Sequence, residues 1–219
     1  MYCIDYVNED SILISCKNSK DCSSLPALSQ ILKQQLRDIL DIIVAADSLL
    51  IVLEYTADID ALLSVVTQFN PSEVVSGSAN VINIPVCYES KLAPDLAEVC
   101  QISKLSADKV IELHQQARYQ VKAIGFMPGF AYLKGLPAQL QLPRKAVPAS
   151  KVAAGSLAIA EDMTAVYPAS SPGGWHIIGQ SPMQLFNKLS DPMCPFKVGD
   201  EVRFVAITYQ EFIAFKENR

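Results

Sequence analysis

Apolar residues in the first part of the chain follow two periodicities, one typical of helices and one typical of strands. Two stretches, 25–39 and 59–69, carry leucine, isoleucine and valine at helical spacing. Apolar runs with strand-like composition surround them, at 2–7, 11–16, 42–46, 49–55 and 81–88. The order is βαββαβ with a split first strand, which predicts a ferredoxin-like sandwich of one sheet and two helices.

The later part of the chain has shorter apolar runs that are separated by glycine and proline. Two short helices are expected first, one at 94–102 and one after Ser106, whose side chain is a suitable N-cap. Five strand-like runs follow, at 120–124, 157–160, 165–167, 175–178 and 201–207. Many short strands with turns of this kind predict a closed or nearly closed β-barrel.

Glycine separates the chain into a regular first half and a turn-rich second half. Eight of the nine glycines lie between Gly125 and Gly199, and only Gly77 precedes them. We therefore predict two domains, 1–84 and 85–219. The fold class is α+β, with an N-terminal ferredoxin-like α/β sandwich followed by a C-terminal β-barrel.

Composition excludes several classes of protein. Half of the residues are apolar and 19 % are charged, which favours a packed core over a disordered chain. No apolar run reaches the roughly 18 residues that a membrane span needs. The N-terminus lacks the basic leader and apolar stretch of a signal peptide, so we expect a cytoplasmic protein that does not contact the membrane.

Charge also differs between the two halves. Residues 1–85 carry 11 acidic and 4 basic side chains (net −7), whereas residues 86–219 carry 12 acidic and 14 basic side chains (net +2). Neither half has the basic stripe of a nucleic-acid-binding protein. The second half is the better location for an anionic ligand, although ordinary variation between two solvated surfaces explains the difference equally well.

The cysteines and histidines do not predict a metal site. None of the six cysteines forms a CxxC pair, and without an export signal we expect reduced thiols. The two histidines, His114 and His176, are far apart in sequence, whereas structural zinc needs clustered ligand pairs.

Four stretches set glycine beside aromatic or polar residues, as a ligand pocket would: 125–132, 142–144, 154–156 and 167–179. The alternative is that glycine turns the chain at barrel corners and the aromatic rings fill the core. Candidate residues for binding a small-molecule substrate in and between these stretches are Phe126, Pro128, Gly129, Phe130, Tyr132, Lys151, Gly155, Ser156, Ser171, Gly173, Gly174 and Trp175.

Three other side chains are candidates for chemistry. His114 and His176 are candidate acid–base groups, since histidine titrates near neutral pH, but His114 shares a helix face with apolar residues, where a histidine is more often a hydrogen-bonded core residue than a catalyst. Arg144 offers a fork of donors to a carboxylate or phosphate, unless it is a solvated charge at the barrel rim. Esterase GxSxG, P-loop and GxGxxG motifs do not occur in the sequence.

Five motifs occur in a fixed order: GFMPGFAYLKGLP, LPR, AGS, YPASSPGGWHIIG and VGDEVRF. Together they resemble the family that contains the B subunit of 5-oxoprolinase, allophanate hydrolase subunit 1 and other proteins with a carboxyltransferase C/D-type domain. That family also includes a segment of urea amidolyase and an inhibitor of a sporulation histidine kinase. The resemblance extends over about 85–207, and Cys87-Tyr88, Pro94-Asp95-Leu96 and His114 fit the family pattern.

The resemblance implies a cyclophilin-like barrel and an enzyme subunit that opens the lactam ring of 5-oxoproline with ATP and Mg²⁺. It further implies a partner that carries the carboxyltransferase A/B half, similar to the C subunit of 5-oxoprolinase, together with the A subunit of that enzyme, and a site shared between them. We expect Arg144, Lys151 and the amides near Gly155 and Gly173-Gly174 to contact anions. Kinase inhibition and an allophanate or urea amidolyase reaction are the alternatives.

The sequence departs from the family pattern at three places. Glu89-Ser90 replace a frequent pair of glycines, and Ala149 and Gln180 stand where many members have arginine. Lys145 and Lys151 are candidates to supply the missing positive charge.

Overall fold

The computed structural model describes residues 2–18, 22–70 and 80–217. The chain divides into two compact units, Met1–Ala79 and Asn80–Arg219. This division lies ahead of the predicted boundary at 84/85.

The first unit is an antiparallel sheet with helices on one face. Its elements are β1 (Tyr2–Asn8), β2 (Ser11–Cys16), α1 (Leu25–Gln35), β3 (Ile39–Val44), β4 (Ser48–Leu53) and α2 (Ile59–Gln68). The strand order is β1-β2-β4-β3. Alternate residues of β2 and β4, among them Ile12 and Ile51, are fully buried and belong to one core with Leu28, Leu32 and Leu62 of the helices. The predicted alternation of strands and helices is therefore correct here, except that Ile39 begins a strand instead of ending the helix.

The second unit contains the remaining elements. They are β5 (Val81–Val86), α3 (Leu96–Ser103), α4 (Ala107–Gln116), β6 (Tyr119–Ile124), β7 (Ala131–Lys134), β8 (Ala149–Val152), β9 (Ser156–Ala160), β10 (Met163–Val166), β11 (Ser171–Gly173), β12 (His176–Gln180), β13 (Glu201–Ala206) and α5 (Tyr209–Glu217). Seven strands form a sheet in the order β12-β9-β10-β7-β6-β13-β5, and β8 pairs with β11 in a separate ribbon. Ser106 caps α4 as predicted, since its hydroxyl accepts a hydrogen bond from the Lys109 amide.

The predicted strand at 81–88 is present, but its partner differs from the one that the ferredoxin-like order requires. β5 pairs in parallel with β13, from Val81 opposite Glu201 to Val86 opposite Ala206. It therefore belongs to the seven-stranded sheet, and the first unit retains four strands. An apolar run predicts that a strand forms, whereas its partner is chosen by contacts that are distant in sequence.

The ends of the seven-stranded sheet meet just beyond β5. Cys87 and Gln180 exchange two backbone hydrogen bonds, each of 2.9 Å, so the last residue of β12 pairs with the residue that follows β5. The sheet is therefore nearly closed, as the barrel prediction required. The predicted fold class, an α/β unit followed by a barrel-like unit, is confirmed.

Strands β9 and β12 contribute to apolar clusters on both faces. Leu157, Ile159 and Ile178 join the main core, which includes residues of α3 and α4. Ala158 and Ile177, on the opposite face, join a second cluster around Phe130, Tyr167 and Trp175. Two buried faces explain why these strands have few polar residues.

Gly179 permits the close approach that closes the sheet. A Cβ atom at this position would lie 2.8 Å from Val86 Cγ1 and 3.0 Å from the Cys87 carbonyl oxygen. We expect Gly179→Ala to lower the free energy of unfolding by about 1–3 kcal/mol, because the Val86 side chain and the Cys87 carbonyl would have to move. Thermal or denaturant unfolding of the purified chain measures this change.

The matched control is Gly125→Ala, since a Cβ atom there meets nothing within 4 Å. Equal stability of the two variants would contradict the role of Gly179 in closing the sheet.

Candidate functional site

The loop between β6 and β7 carries the first of the predicted pocket motifs. The Gly125 amide donates to the Phe130 carbonyl (3.0 Å), and the Met127 amide donates back to Gly125 (2.8 Å). Gly129 has a φ of +83°, and a Cβ atom there would lie 2.5 Å from the Leu185 carbonyl oxygen, so the position requires glycine. Phe126 adopts a φ of +68°, which is uncommon for a residue with a side chain.

Aromatic rings gather around Phe130. Its centroid lies 5.2 Å from Phe126, 4.9 Å from Tyr132, 5.3 Å from Tyr167 and 6.0 Å from Trp175, all with edge-to-face geometry. Phe130 is buried, whereas 61 % of Phe126 is exposed. The cluster therefore has a buried centre and an exposed aromatic edge at Phe126.

The glycines of the other motifs pack against Tyr167. The Gly155 amide donates to the Tyr167 carbonyl (2.7 Å), while the Gly155 carbonyl accepts from the Ser181 amide (2.8 Å). A Cβ atom at Gly173 would clash with the Tyr167 hydroxyl. The pKa of that hydroxyl is raised by burial and by Tyr132, and Arg144 lowers it in part, so the Arg144 charge acts on this hydroxyl.

Arg144 and Lys145 are neighbours in sequence with different surroundings. Arg144 Nε donates to Glu161 Oε1 at 3.2 Å, in a pair whose side chains are 56 % and 50 % exposed. Lys145 Nζ lies 2.6 Å from Asp95 Oδ1, in a pair whose side chains are 23 % and 14 % exposed. Arg144 therefore faces solvent, and Lys145 is held by a mostly buried carboxylate.

His176 lies at the start of β12 and is 3 % exposed. Its Nε2 donates to the Pro143 carbonyl at 3.0 Å. Its Nδ1 is buried without a hydrogen-bond partner in the described structure and lies 3.7 Å from Glu98 Oε2. His176 thus contacts the loop that carries Arg144, while the acid–base role stays a prediction.

His114 lies in the main core with no exposed surface. The Thr164 hydroxyl donates to the Ala158 carbonyl at 2.9 Å, so it accepts from His114 Nε2 at 3.1 Å. Nδ1 is then the acceptor for the Tyr88 hydroxyl at 3.0 Å. Burial lowers the pKa of His114 from 6.5 to about 3. Both ring nitrogens are engaged with core side chains, a geometry that favours the core alternative over an acid–base role.

Of the remaining candidates, Ser156 is buried, whereas Lys151 and Pro128 lie at the surface. Ser156 is buried, and its carbonyl accepts from the Tyr167 amide at 2.9 Å. Lys151 is exposed on β8, and Ser171 donates to the carbonyl of Pro172 at 3.1 Å. Pro128 is exposed beside Phe126. The structure thus brings the aromatic and glycine motifs together, with Arg144 within electrostatic range.

Two of the departures from the family pattern have defined contacts in the structure. Ala149 pairs with Gly173 in the β8–β11 ribbon. Gln180 Nε2 donates to the Ala154 carbonyl at 2.6 Å, so this side chain stabilises the turn before Gly155. Sequence reasoning missed the role of Asp95, although Pro94-Asp95-Leu96 was part of the resemblance.

Metal-binding clusters and membrane-spanning helices are both absent from residues 2–18, 22–70 and 80–217. In those ranges no three His, Cys, Asp or Glu side chains are grouped so that they could hold a metal ion. Nor does any helix there combine the length and apolar character needed to cross a bilayer.

The fold and site define a class of protein: an α/β unit joined to a barrel-like unit with a glycine-rich aromatic surface. The family "Carboxyltransferase domain, subdomain C and D" matches residues 2–196. The chain belongs to this family.

Three relatives are named as the B subunit of 5-oxoprolinase. Identity is 42 % over 137 residues with the Bacillus subtilis (strain 168) protein, covering 63 % of this chain and 57 % of the relative. It is 42 % over 147 residues with the Escherichia coli O157:H7 protein, covering 67 % of each. It is 34 % over 173 residues with the Haemophilus influenzae protein, covering 78 % of this chain and 81 % of the relative.

Solved structures share the fold. TTHA0988 is 29 % identical with a TM-score of 0.79, and the match covers 90 % of this chain and 40 % of that chain. PH0987 from Pyrococcus horikoshii is 33 % identical with a TM-score of 0.59, covering 96 % of this chain and 100 % of that one. The K. lactis urea amidolyase is 16 % identical with a TM-score of 0.71, covering 99 % of this chain and 15 % of that one, and so shares the fold alone.

The depressed pKa of His114 predicts a specific pH dependence of stability. Below pH 6.5 the unfolded chain binds a proton that the folded chain does not bind until about pH 3. This histidine therefore costs about 1.4 kcal/mol of folding free energy per pH unit as pH falls across that window. We expect His114→Gln, which offers a donor and an acceptor but does not titrate, to give a shallower loss of stability.

Urea unfolding between pH 7 and pH 4 measures the free energy of unfolding of the wild type and of the variant as a function of pH. Both proteins retain His176, so the difference between the two profiles reports on position 114. Parallel profiles would contradict the assignment of His114 as a buried neutral group.

Proposed function

We propose that this chain is the B subunit of an ATP-dependent 5-oxoprolinase, which opens the lactam ring of 5-oxoproline to L-glutamate. The observation that carries the proposal is the 34–42 % identity to three proteins named as that subunit. The proposal includes a cytoplasmic location, because ATP is consumed there.

The reaction requires an activated amide. The lactam oxygen attacks the γ-phosphorus of ATP and ADP leaves. Water then adds to the activated carbon, the ring C–N bond breaks and the nitrogen takes up a proton, which leaves an acyl phosphate of the opened chain. A second water hydrolyses this acyl phosphate, and inorganic phosphate and L-glutamate are released. Donors directed at the oxygens where negative charge develops lower the barrier to such steps.

Arg144 is the proposed donor for those oxygens. Among the described residues its ion pair with Glu161 is made through Nε, which leaves both Nη groups to donate to a carboxylate or phosphate. Lys151 adds a second exposed charge on β8. The rings of Phe126 and Tyr132 would supply an apolar wall for the lactam ring.

The proposal also assigns the ATP and Mg²⁺ to a site shared with partner subunits. Between Gly125 and Gly179 the only acidic residues are Glu161 and Asp162. Glu161 pairs with Arg144, and Asp162 pairs with Lys134 at 3.4 Å. Because Mg²⁺–ATP sites use carboxylates as well as phosphates, we propose that the missing groups come from a protein with the carboxyltransferase A/B half and from the A subunit of the enzyme.

The isolated chain should fold but lack activity. Purified alone, it should unfold cooperatively yet release no glutamate from 5-oxoproline with Mg²⁺–ATP. Reconstitution with proteins similar to the C and A subunits of 5-oxoprolinase should give 5-oxoproline-dependent release of ADP and glutamate. A parallel assay with allophanate and urea tests the other activities found in the family.

Turnover by the lone chain, free of partner protein by mass spectrometry, would contradict the shared site. Turnover of urea derivatives but not 5-oxoproline would contradict the substrate.

Replacement of Arg144 should impair the reconstituted enzyme. Arg144→Ala should lower kcat/KM for 5-oxoproline by about 10²-fold or more, as expected for loss of a donor to a developing charge. The matched control is Lys134→Ala, which removes another exposed, ion-paired cation from the same unit. Equal activity of the two variants would eliminate Arg144 from the proposed site.

A further inference from the structure

We propose that Asp95 is a positioning residue, which fixes the loop 143–145 so that Arg144 points outward and Lys145 is withdrawn from ligand binding. The inference rests on the proposed function, since it assigns Arg144 to that reaction. Asp95 itself would not contact the substrate.

Both carboxylate oxygens of Asp95 are used, and they join two distant parts of the chain. Oδ1 lies 2.6 Å from Lys145 Nζ, and Oδ2 accepts the Ile177 amide at 2.7 Å. The Asp95 amide also donates to the Ile177 carbonyl at 3.0 Å. Asp95 occupies the N-cap position of α3, but its side chain does not cap that helix. The carboxylate is therefore committed to the loop and to β12.

Two further hydrogen bonds join the loop 143–145 to the start of β12 and the residues just before it. The Lys145 amide donates to the Gly174 carbonyl at 2.8 Å. His176 Nε2 donates to the Pro143 carbonyl at 3.0 Å. The residues on both sides of Arg144, Pro143 and Lys145, are therefore held by hydrogen bonds to 174–176. These bonds fix the backbone from which the Arg144 side chain projects.

The burial of the two ion pairs separates the roles of the two cations. The Asp95–Lys145 side chains are 14 % and 23 % exposed, whereas the Glu161–Arg144 side chains are 50 % and 56 % exposed. Removing one partner of a buried pair leaves an uncompensated charge, so the loop must move to solvate Lys145 if Asp95 is neutralised. That movement would change the direction of Arg144.

A simpler alternative is that the pair only stabilises the fold. Two variants distinguish the alternatives: Asp95→Asn retains an oxygen for the Ile177 amide but loses the charge, and Lys145→Met removes the ammonium. Asp162→Asn is the control, because its ion pair with Lys134 is exposed.

Hydrogen exchange of the intact chain provides a readout that is independent of activity. We expect the amide of residue 145 to exchange at least about tenfold faster in Asp95→Asn and Lys145→Met, because movement of the loop weakens its hydrogen bond to the Gly174 carbonyl. Exchange in β9 and β10 should be unchanged, as should all exchange in Asp162→Asn. Unchanged exchange at residue 145 in both variants, or a uniform increase over the whole unit, would overturn the proposal.

Kinetics of the reconstituted enzyme test the link to Arg144. Asp95→Asn should lower kcat/KM by about tenfold, and Arg144→Ala should cost less in the Asp95→Asn background than in wild type, since the two act as a unit. Fully additive effects would overturn the positioning role. If the wild-type complex does not turn over 5-oxoproline, the proposed function fails, and the exchange experiment still decides whether Asp95 orders the loop.

Discussion

The pairing of Cys87 with Gln180 is the contact on which the geometry of the second unit depends. It joins the two ends of a seven-stranded sheet, at a close approach that the absence of a side chain at Gly179 favours. A closed sheet has no free edge at this point and holds β12 in one register. Since Gly174 and Trp175 lead directly into β12, the closure also fixes where the Gly174 carbonyl can meet the loop that carries Arg144.

Strands with two buried faces connect this scaffold to the site. On one face of these strands, the Thr164 hydroxyl accepts a hydrogen bond from His114 of α4. On the other face, Ala158 and Ala165 pack against the aromatic cluster around Phe130. Small side chains on the second face leave space for Phe130 to pack close to the sheet. The packed core therefore holds Phe130 in place, and Phe130 in turn contacts Phe126, whose ring is exposed to solvent.

The sequence predicted helices and strands better than it predicted which strands pair and which side chains meet. Helices and strands with clear periodicity, and the barrel with its glycine-rich motifs, are present in the structure. The short strands β7, β8 and β11 were not predicted, and β10 was predicted only in part, because three or four residues show little periodicity. The Asp95–Lys145 pair spans 50 residues of sequence, and no local spacing indicates it. His114 was assigned to the correct helix face, but its hydrogen bonds to Tyr88 and Thr164 depend on tertiary structure.

Arg144 and Lys145 are adjacent cations of similar chemistry, yet they differ in how easily an anionic ligand could reach them. An exposed ion pair contributes only about 0–1 kcal/mol, so an incoming carboxylate or phosphate can replace Glu161 at Arg144 with little cost. Lys145 could bind the same ligand only by leaving Asp95 unpaired in a mostly buried position, which costs far more. The fold therefore leaves one of two neighbouring charges accessible to solvent and commits the other to a mostly buried ion pair. Burial of the counter-ion, which no motif encodes, makes that difference.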